Sequence, residues 1–465
     1  MKTMPSFRTE IDSMGPRQVP QAAFYGAQTS RSMENFPFEG RLPLAVIHGM
    51  AHLKKAAATA NRASGRLSAD KAKAIVRACD EVLSGRLDGE FVLPVYQAGS
   101  GTSSHMNLNE VLANVANEAM GGTRGAKSPV HPNDDVNMGQ STNNMFPSGA
   151  KVAAVLAWPA LAASLEGLAK ALEGKSREFR RVLKTGRTHL QDAVPVTLGQ
   201  EFKAWSTAIR KDVRRLRPLE AALHELGAGG NAVGTGINTL PSFRADLMCA
   251  LSRQLKISFC VAGDGLQATQ FLTDFAAFSG GLRCAALDVQ QLANNLRLLA
   301  SGPHSGLGEI SLPPVEPGSS IMPGKVNPSI CEAANMAMMQ LQGLDHALTL
   351  ACGAGQLELN THMPLVAANV LAEMDLLRHT AEMLAQKCIS GISARPENCQ
   401  RNLEWSAGLA TMLNPRLGYD RVAALVKESL ARNLTLKELA LEKKLLTAKE
   451  YERLLARSTA PHSPA

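Results

Sequence analysis

Four short polar segments interrupt an otherwise aliphatic chain. They are Gly99-Ser-Gly-Thr-Ser-Ser-His-Met-Asn107, His131-Pro-Asn-Asp-Asp-Val-Asn-Met-Gly-Gln-Ser-Thr-Asn143, Gly186-Arg-Thr-His-Leu-Gln-Asp192 and Gly318-Ser-Ser-Ile-Met-Pro-Gly-Lys-Val-Asn327. One such segment is an ordinary loop. Four of them suggest a site for a ligand with many oxygen acceptors. The donors are mostly neutral hydroxyls and amides, with Lys325 adding a charge and His189 a titratable ring. That set fits a small carboxylate better than a polyphosphate or a polynucleotide.

Other chemistries fail on spacing. Gly318 to Lys325 has five residues between its glycines where a phosphate loop needs four, and Val326 stands where Ser or Thr would hold magnesium. Gly227-Ala-Gly-Gly-Asn-Ala-Val-Gly234 follows a helical pattern, so it is not read as a dinucleotide fingerprint. There is no His-Glu-x-x-His and no Gly-x-Ser-x-Gly nucleophile elbow. No metal cage and no organic cofactor is implied.

Long helices must position these segments. The chain has 465 residues, enough for two or three domains, with 45% apolar, 19% charged and only 4% aromatic residues. Abundant Ala and Leu with few aromatics favours helix over sandwich or barrel. Stretches 44–62, 69–84, 150–184, 198–226, 268–300, 328–351 and 365–390 read as helices. In the last, Val366, Val370, Met374, Leu377, Ala381, Leu384 and Cys388 form one apolar stripe on a rod of roughly 40 Å. Pro159, Pro218 and the Gly280-Gly281 pair are expected to bend or break their helices. The division expected is residues 1–140 as a mixed helical domain, 141–395 as a long-helix bundle and 396–465 as a small helical domain, with Ser458–Ala465 a disordered tail.

The absence of an 18-residue uninterrupted apolar run predicts no membrane span, and no secretory leader is read at the N-terminus. Eight scattered cysteines without Cys-x-x-Cys read as buried reduced thiols of a cytoplasmic protein. The net charge of +8 is dispersed, and Arg210, Lys211, Arg214, Arg215 and Arg217 read as a solvated helix face, not a nucleic-acid surface. A mild positive excess also steers small dianions.

Gly318-Ser-Ser-Ile-Met-Pro-Gly-Lys-Val-Asn-Pro328 resembles the signature of the fumarase/aspartase superfamily. Gly186 to Pro195, Gly234-Thr-Gly-Ile-Asn238 and Ala300-Ser-Gly-Pro303 resemble it too, in the expected order, and the likeness runs from about Arg8 to about Leu455. The resemblance implies an all-α, three-domain subunit with a long central helical bundle. It also implies a homotetramer whose active sites each draw on three subunits, acting on a small dicarboxylate. Such enzymes add or remove HX across a double bond beside a carboxylate, through a doubly charged aci-carboxylate that preorganised donors must stabilise.

By that resemblance Ser319 is the base, on a mobile loop hinged at Gly318 and Gly324, and His189 pairs with Glu332. Thr102, Ser141 and Thr142 hold the carboxylate that becomes the aci form, helped by backbone N–H groups near Ser320. Lys325 and Asn327 grip the other carboxylate. Asn143, Thr188 and His189 surround the leaving group. His131, Asn133 and Asp134 form either a secondary anion site or a structural turn. Taken singly, the serines are turn residues, Lys325 a solvated lysine and Glu332 a helix-start carboxylate.

Two reactions fit. Gln140-Ser-Thr-Asn143, Ala354-Gly-Gln-Leu-Glu-Leu-Asn360 and Ala268-Thr-Gln270 resemble aspartate ammonia-lyases. Val130 to Asn137, Asp12-Ser-Met-Gly15 and Gly26-Ala-Gln-Thr29 resemble fumarate hydratases. Segments beside the leaving group weigh more, which favours ammonia elimination from L-aspartate. Two positions depart from both patterns: His105 stands where the family has Asn, and Asn144 where it has Asp. A substituted aspartate as substrate follows as a third possibility. A scaffold that has lost catalysis is the non-enzyme alternative, disfavoured because Ser319, Lys325, Asn327, His189 and Glu332 are all present.

Overall fold

Helices occupy the stretches whose apolar residues recur at intervals of three and four. The computed structural model describes residues 6–458. Its helices are α1 (Ala27–Asn35), α2 (Leu44–Ala63), α3 (Ala69–Leu83), α4 (Thr102–Ala119), α5 (Thr142–Glu178), α6 (Leu198–Ala221), α7 (Phe243–Leu255) and α8 (Gly265–Gln270). They continue as α9 (Thr273–Leu299), α10 (Ser329–Gly353), α11 (Met363–Met383), α12 (Pro396–Glu404), α13 (Asn414–Leu417), α14 (Tyr419–Arg432), α15 (Leu436–Glu442) and α16 (Ala448–Ser458). Among the described residues, strands form only two-stranded ribbons: β1 (Phe7–Asp12) with β2 (Gly15–Pro20), β3 (Leu183–Thr188) with β4 (Gln191–Thr197), β5 (Glu225–Leu226) with β6 (Cys260–Val261), and β7 (Ile310–Ser311) with β8 (Ser393–Ala394).

Several expectations are corrected. Pro159, Pro218 and Gly280-Gly281 end nothing; α5, α6 and α9 run through them. Gly281 has a packing reason, since a Cβ there would sit 2.6 Å from Leu219 Cδ1 and 2.9 Å from Leu216 Cδ2 of α6. The 365–390 rod is not one helix. It ends at Met383 and passes into a π turn, Leu384–Cys388. The wider turn still buries Leu384 and Cys388, so all seven stripe residues are at most 3% exposed. The glycine segment at 227 follows the two-residue strand β5, but opens turns instead of a helix. Cys249 and Cys260 are exposed rather than buried, and Cys284 and Cys352 are half-buried. Of the tail, Ser458 closes α16 and 459–465 lies outside the described residues.

The chain forms two compact units, whose boundaries fall within α5, α6, α9, α10 and α11. The first takes in residues up to Leu161, Arg214–Cys284 and Gln340–Leu377. There α2 and α5 cross at glycines, since a Cβ on Gly49 would lie 2.1 Å from the Gly149 carbonyl oxygen. Of the described helices, α5 has the length and apolar composition to cross a membrane, but half of that window is buried in the fold. Lys151 of α5 pairs with Asp274 of α9 at 2.7 Å. The second unit takes in Ala162–Val213, Ala285–Met339 and the chain from Arg378 on. Phe179 and Phe202 meet edge to face at 5.3 Å, and Ser206 of α6 donates to the Ala169 carbonyl of α5 at 2.8 Å. Its C-terminal helices close over their own core of Leu403, Leu413, Leu425, Leu439 and Tyr451. A Thr435/Glu438 capping box starts α15.

One buried cluster in the first unit holds a proton. Ser279 Oγ lies 2.8 Å from Asp345 Oδ1 and 2.7 Å from Glu373 Oε2, while Arg283 pairs with Asp345 at 3.2 Å. One hydroxyl proton cannot serve two carboxylates. Burial, and secondarily the Asp345 charge, pushes Glu373 up to about 8, so it brings its own proton. Half-buried Cys352, another titratable neighbour, is pushed up to about 12 by burial and stays a thiol. A proton held more tightly in the fold than in the unfolded chain stabilises fully below about 4.5, and that contribution is lost as pH rises to about 8. Glu373→Gln makes it permanent. Thermal unfolding is therefore expected to show the variant gaining on the parent between pH 5 and pH 8.5, and a constant gap would contradict the shared proton.

Candidate active site

Two helix starts in the first unit carry the neutral donors. Thr102 is the first residue of α4 and Thr142 the first of α5. Helix starts leave backbone N–H groups unpaired and carry partial positive charge, so hydroxyls there add to a ready anion site. Gly101 caps α4 at φ +84°, and a Cβ there would sit 2.3 Å from the Phe146 ring. Both the left-handed backbone and the ring demand glycine. Thr102 Oγ1 shares a hydrogen bond with Ser100 Oγ at 2.7 Å. Ser141 Oγ accepts from the Asn143 N–H at 3.3 Å, and Asn143 Nδ2 donates to the Ala232 carbonyl at 2.7 Å.

The two unusual residues are fully buried beside these donors. His105 Nδ1 is 2.7 Å from Thr142 Oγ1. Burial, and next the charge of Lys54, holds the imidazole well below its usual value, so it is neutral. Lys54 Nζ, also fully buried, donates to Asn137 Oδ1 at 2.8 Å. Asn144 Nδ2 donates to the Asn231 carbonyl. An Asp there would face that carbonyl with no proton to donate, so the amide suits this loop.

His131 is built into a turn. Its Nδ1 accepts from the N–H groups of Asn133 and Asp134, each at 3.2 Å, and Asp134 Oδ2 lies 3.4 Å from it. Those bonds support the structural alternative and leave an anion-binding role for His131, Asn133 and Asp134 a proposal.

The second unit carries the remaining site residues. Thr188 ends β3, and His189 and Leu190 form the hairpin tip with φ +56° and +57°. Two non-glycine residues in the left-handed region are strained, and the strain projects His189 outward, exposed. The hairpin is tied at its base. Buried Lys184 contacts Glu201 at 2.6 Å and Glu309 Oε2 at 3.0 Å, and Arg187 reaches Glu309 Oε1 at 2.8 Å. The Lys184–Glu309 contact is close in charge without hydrogen-bond alignment. Although burial opposes it, Arg187 and Lys184 hold the Glu309 carboxyl below its usual range.

The loop at 318–327 folds back on itself. A Cβ on Gly318 would lie 2.0 Å from the Lys325 carbonyl oxygen, and Asn327 Nδ2 donates to the Gly318 carbonyl at 2.5 Å. Ser319 Oγ accepts from the N–H groups of Met322 at 3.1 Å and Ile321 at 3.3 Å. Those donors are the kind that stabilise a serine oxyanion. Among the described residues, the side chains of His189, Ser320 and Lys325 have no partner within the chain. Glu332, in the first turn of α10, faces Arg297 at 4.0 Å and makes no bond to His189 in the same chain.

Sequence reading missed two cations. Lys325 and Asn327 line an open cavity of about 650 Å³ together with Arg297 and Arg395. A lone arginine on a helix and another before Pro396 carry no local signal; only the fold places them beside Lys325.

A lyase family model matches residues 15–343, and a model of the fumarase C C-terminus matches 409–458. The chain belongs to the fumarase/aspartase superfamily. A class II fumarate hydratase of Chromobacterium violaceum is 46% identical over 96% of this chain and 97% of its own. An aspartate ammonia-lyase of Pseudomonas aeruginosa is 45% identical over 96% of this chain and 95% of its own. Among solved structures, a fumarate lyase:delta crystallin from Brucella melitensis bound to cobalt superimposes with a TM-score of 0.95 at 44% identity, covering 98% of this chain and all of that one. The all-α fold is that of the superfamily, and the protein is a lyase of it. Relatives of equal likeness carry both reaction names. Among the described residues, no group of three His, Cys, Asp or Glu side chains comes together to hold a metal.

Lys184→Met removes one cation from buried Glu309. Apparent stability in urea is expected to fall by about 3–5 kcal/mol. A loss below about 1 kcal/mol would show that the network does not anchor the hairpin.

Proposed function

We propose that this lyase eliminates ammonia from L-aspartate to give fumarate, reversibly and with anti geometry. Asn143 carries the choice of leaving group. One of its two amide N–H groups donates to the Ala232 carbonyl, which fixes the side chain and leaves Oδ1 open to accept. An ammonium group offers three donors and needs acceptors. The aspartase-like segments at 140–143 and 354–360 support the same choice.

Ser319, as oxyanion, takes a proton from the carbon beside one carboxylate. The electron pair passes into that carboxylate to form the aci-carboxylate, which Thr102, Ser141 and Thr142 stabilise with the help of the backbone near Ser320. Collapse re-forms the carboxylate, makes the carbon–carbon double bond and breaks the carbon–nitrogen bond. Lys325 and Asn327 hold the other carboxylate, and Thr188 and His189 attend the departing amine. The site is completed across subunits of a homotetramer, where Glu332 would orient His189. The unpartnered side chains of His189, Ser320 and Lys325 in the isolated chain support that assembly.

A second reading, hydration of fumarate to L-malate, is favoured by the 46% identical hydratase and by the Val130 to Asn137 segment. Addition of ammonia and of water to fumarate, run side by side and followed by loss of fumarate absorbance, separates the two. Aspartate as main product is expected; malate selects the hydratase, and neither product defeats both. Ser319→Ala is expected to lower turnover by about 10³-fold with unchanged circular dichroism. Retained turnover would remove Ser319 as the base.

A further inference from the structure

We propose that His105 is a positioning residue that, as the neutral Nδ1–H tautomer, donates to Thr142 Oγ1 and so aims the Thr142 hydroxyl proton at the substrate carboxylate. The inference rests on the functional reading above and deepens it. Three observations carry it: the 2.7 Å contact between Nδ1 and Oγ1, the complete burial of the ring, and the absence of any partner for Nε2.

Hydrogen-bond accounting chooses the tautomer. If Thr142 donated to Nδ1, the ring would carry its proton on Nε2, where nothing accepts it. The threonine would then present only lone pairs to an incoming carboxylate, which repel it. If Nδ1–H donates instead, Nε2 carries a bare lone pair. A buried lone pair with no donor is a milder defect than a buried N–H with no acceptor, so the Nδ1–H tautomer is the one the site tolerates. The Thr142 O–H is then free to point at the substrate. Protonation of the ring is opposed by burial and by Lys54. The hydroxyl strengthens its bond as the carboxylate gains charge, so the effect belongs to the transition state and appears in kcat more than in KM.

Asparagine places an amide N–H where Nδ1–H stands, whereas glutamine places it where Nε2 stands. His105→Asn is therefore expected to keep kcat within about fivefold of the parent, and His105→Gln to lose about 10²-fold with KM changed much less. In a Thr142→Ala background the glutamine substitution is expected to add less than about threefold, because its path is already cut. A loss that multiplies fully in that background, or an asparagine variant as impaired as the glutamine one, overturns the proposal. The solid-state ¹⁵N spectrum of histidine-labelled protein, with the His105 signal assigned by its absence in His105→Asn, reads the tautomer without turnover. A neutral ring protonated at Nδ1 at pH 7 is expected; a proton on Nε2, or a charged ring, overturns it even if a variant fails to fold. Absence of turnover by the parent on both aspartate and malate would defeat the functional reading alone, and the spectrum would still decide the tautomer.

Discussion

The starts of α4 and α5 are the constraint on which the rest depends. A reaction that gathers two negative charges on one carboxyl group needs donors fixed before the charge appears, because donors that must reorganise forfeit most of their worth. Helix starts supply unpaired N–H groups at no rotamer cost, and Thr102 and Thr142 add a hydroxyl to each. Neighbouring oddities serve these two points. Gly101 turns the chain through a conformation closed to other residues, under a ring that leaves no space for a Cβ. The α2–α5 crossing at Gly49 and Gly149 brings backbones close, so the helix that begins at Thr142 is firmly seated.

Around the neutral donors the fold spends charge sparingly. His105 and Lys54 are both buried and both depressed by burial. A neutral ring directs a proton without adding a charge that would compete for the substrate. Lys184, Arg187, Glu201 and Glu309 instead form a paired network under the β3–β4 hairpin. Burying them together costs less than burying any one alone. The network holds a turn whose two tip residues are both left-handed, which is how an exposed histidine can stand at a fixed place on a strained tip.

Helix periodicity was legible in α2, α3, α10 and α11 because it is a property of neighbours, whereas α1, α4 and α7 were not read from it. The stripe from Val366 to Cys388 is buried as spacing demands, and the starts and stops of α2, α3 and α10 fall within a few residues of those read from sequence. Prolines and glycines were less legible. Pro159, Pro218 and the Gly280-Gly281 pair suit a bend or a break equally in sequence, but the helices run through all of them. The π turn at Leu384–Cys388 had no signal, since the same stripe suits either turn.

The sequence by itself determined which residues can do chemistry, the helical class and the superfamily, because residue type and short-range spacing are written in one dimension. Only the tertiary structure decided partners. His105 meets Thr142 across 37 positions, and Ser279 meets Glu373 across 94. Arg297 and Arg395 come to line one cavity with Lys325. Such pairings set protonation states and hydrogen-bond direction. They depend on distances of about 3 Å between groups that the chain keeps far apart, and only packing fixes those.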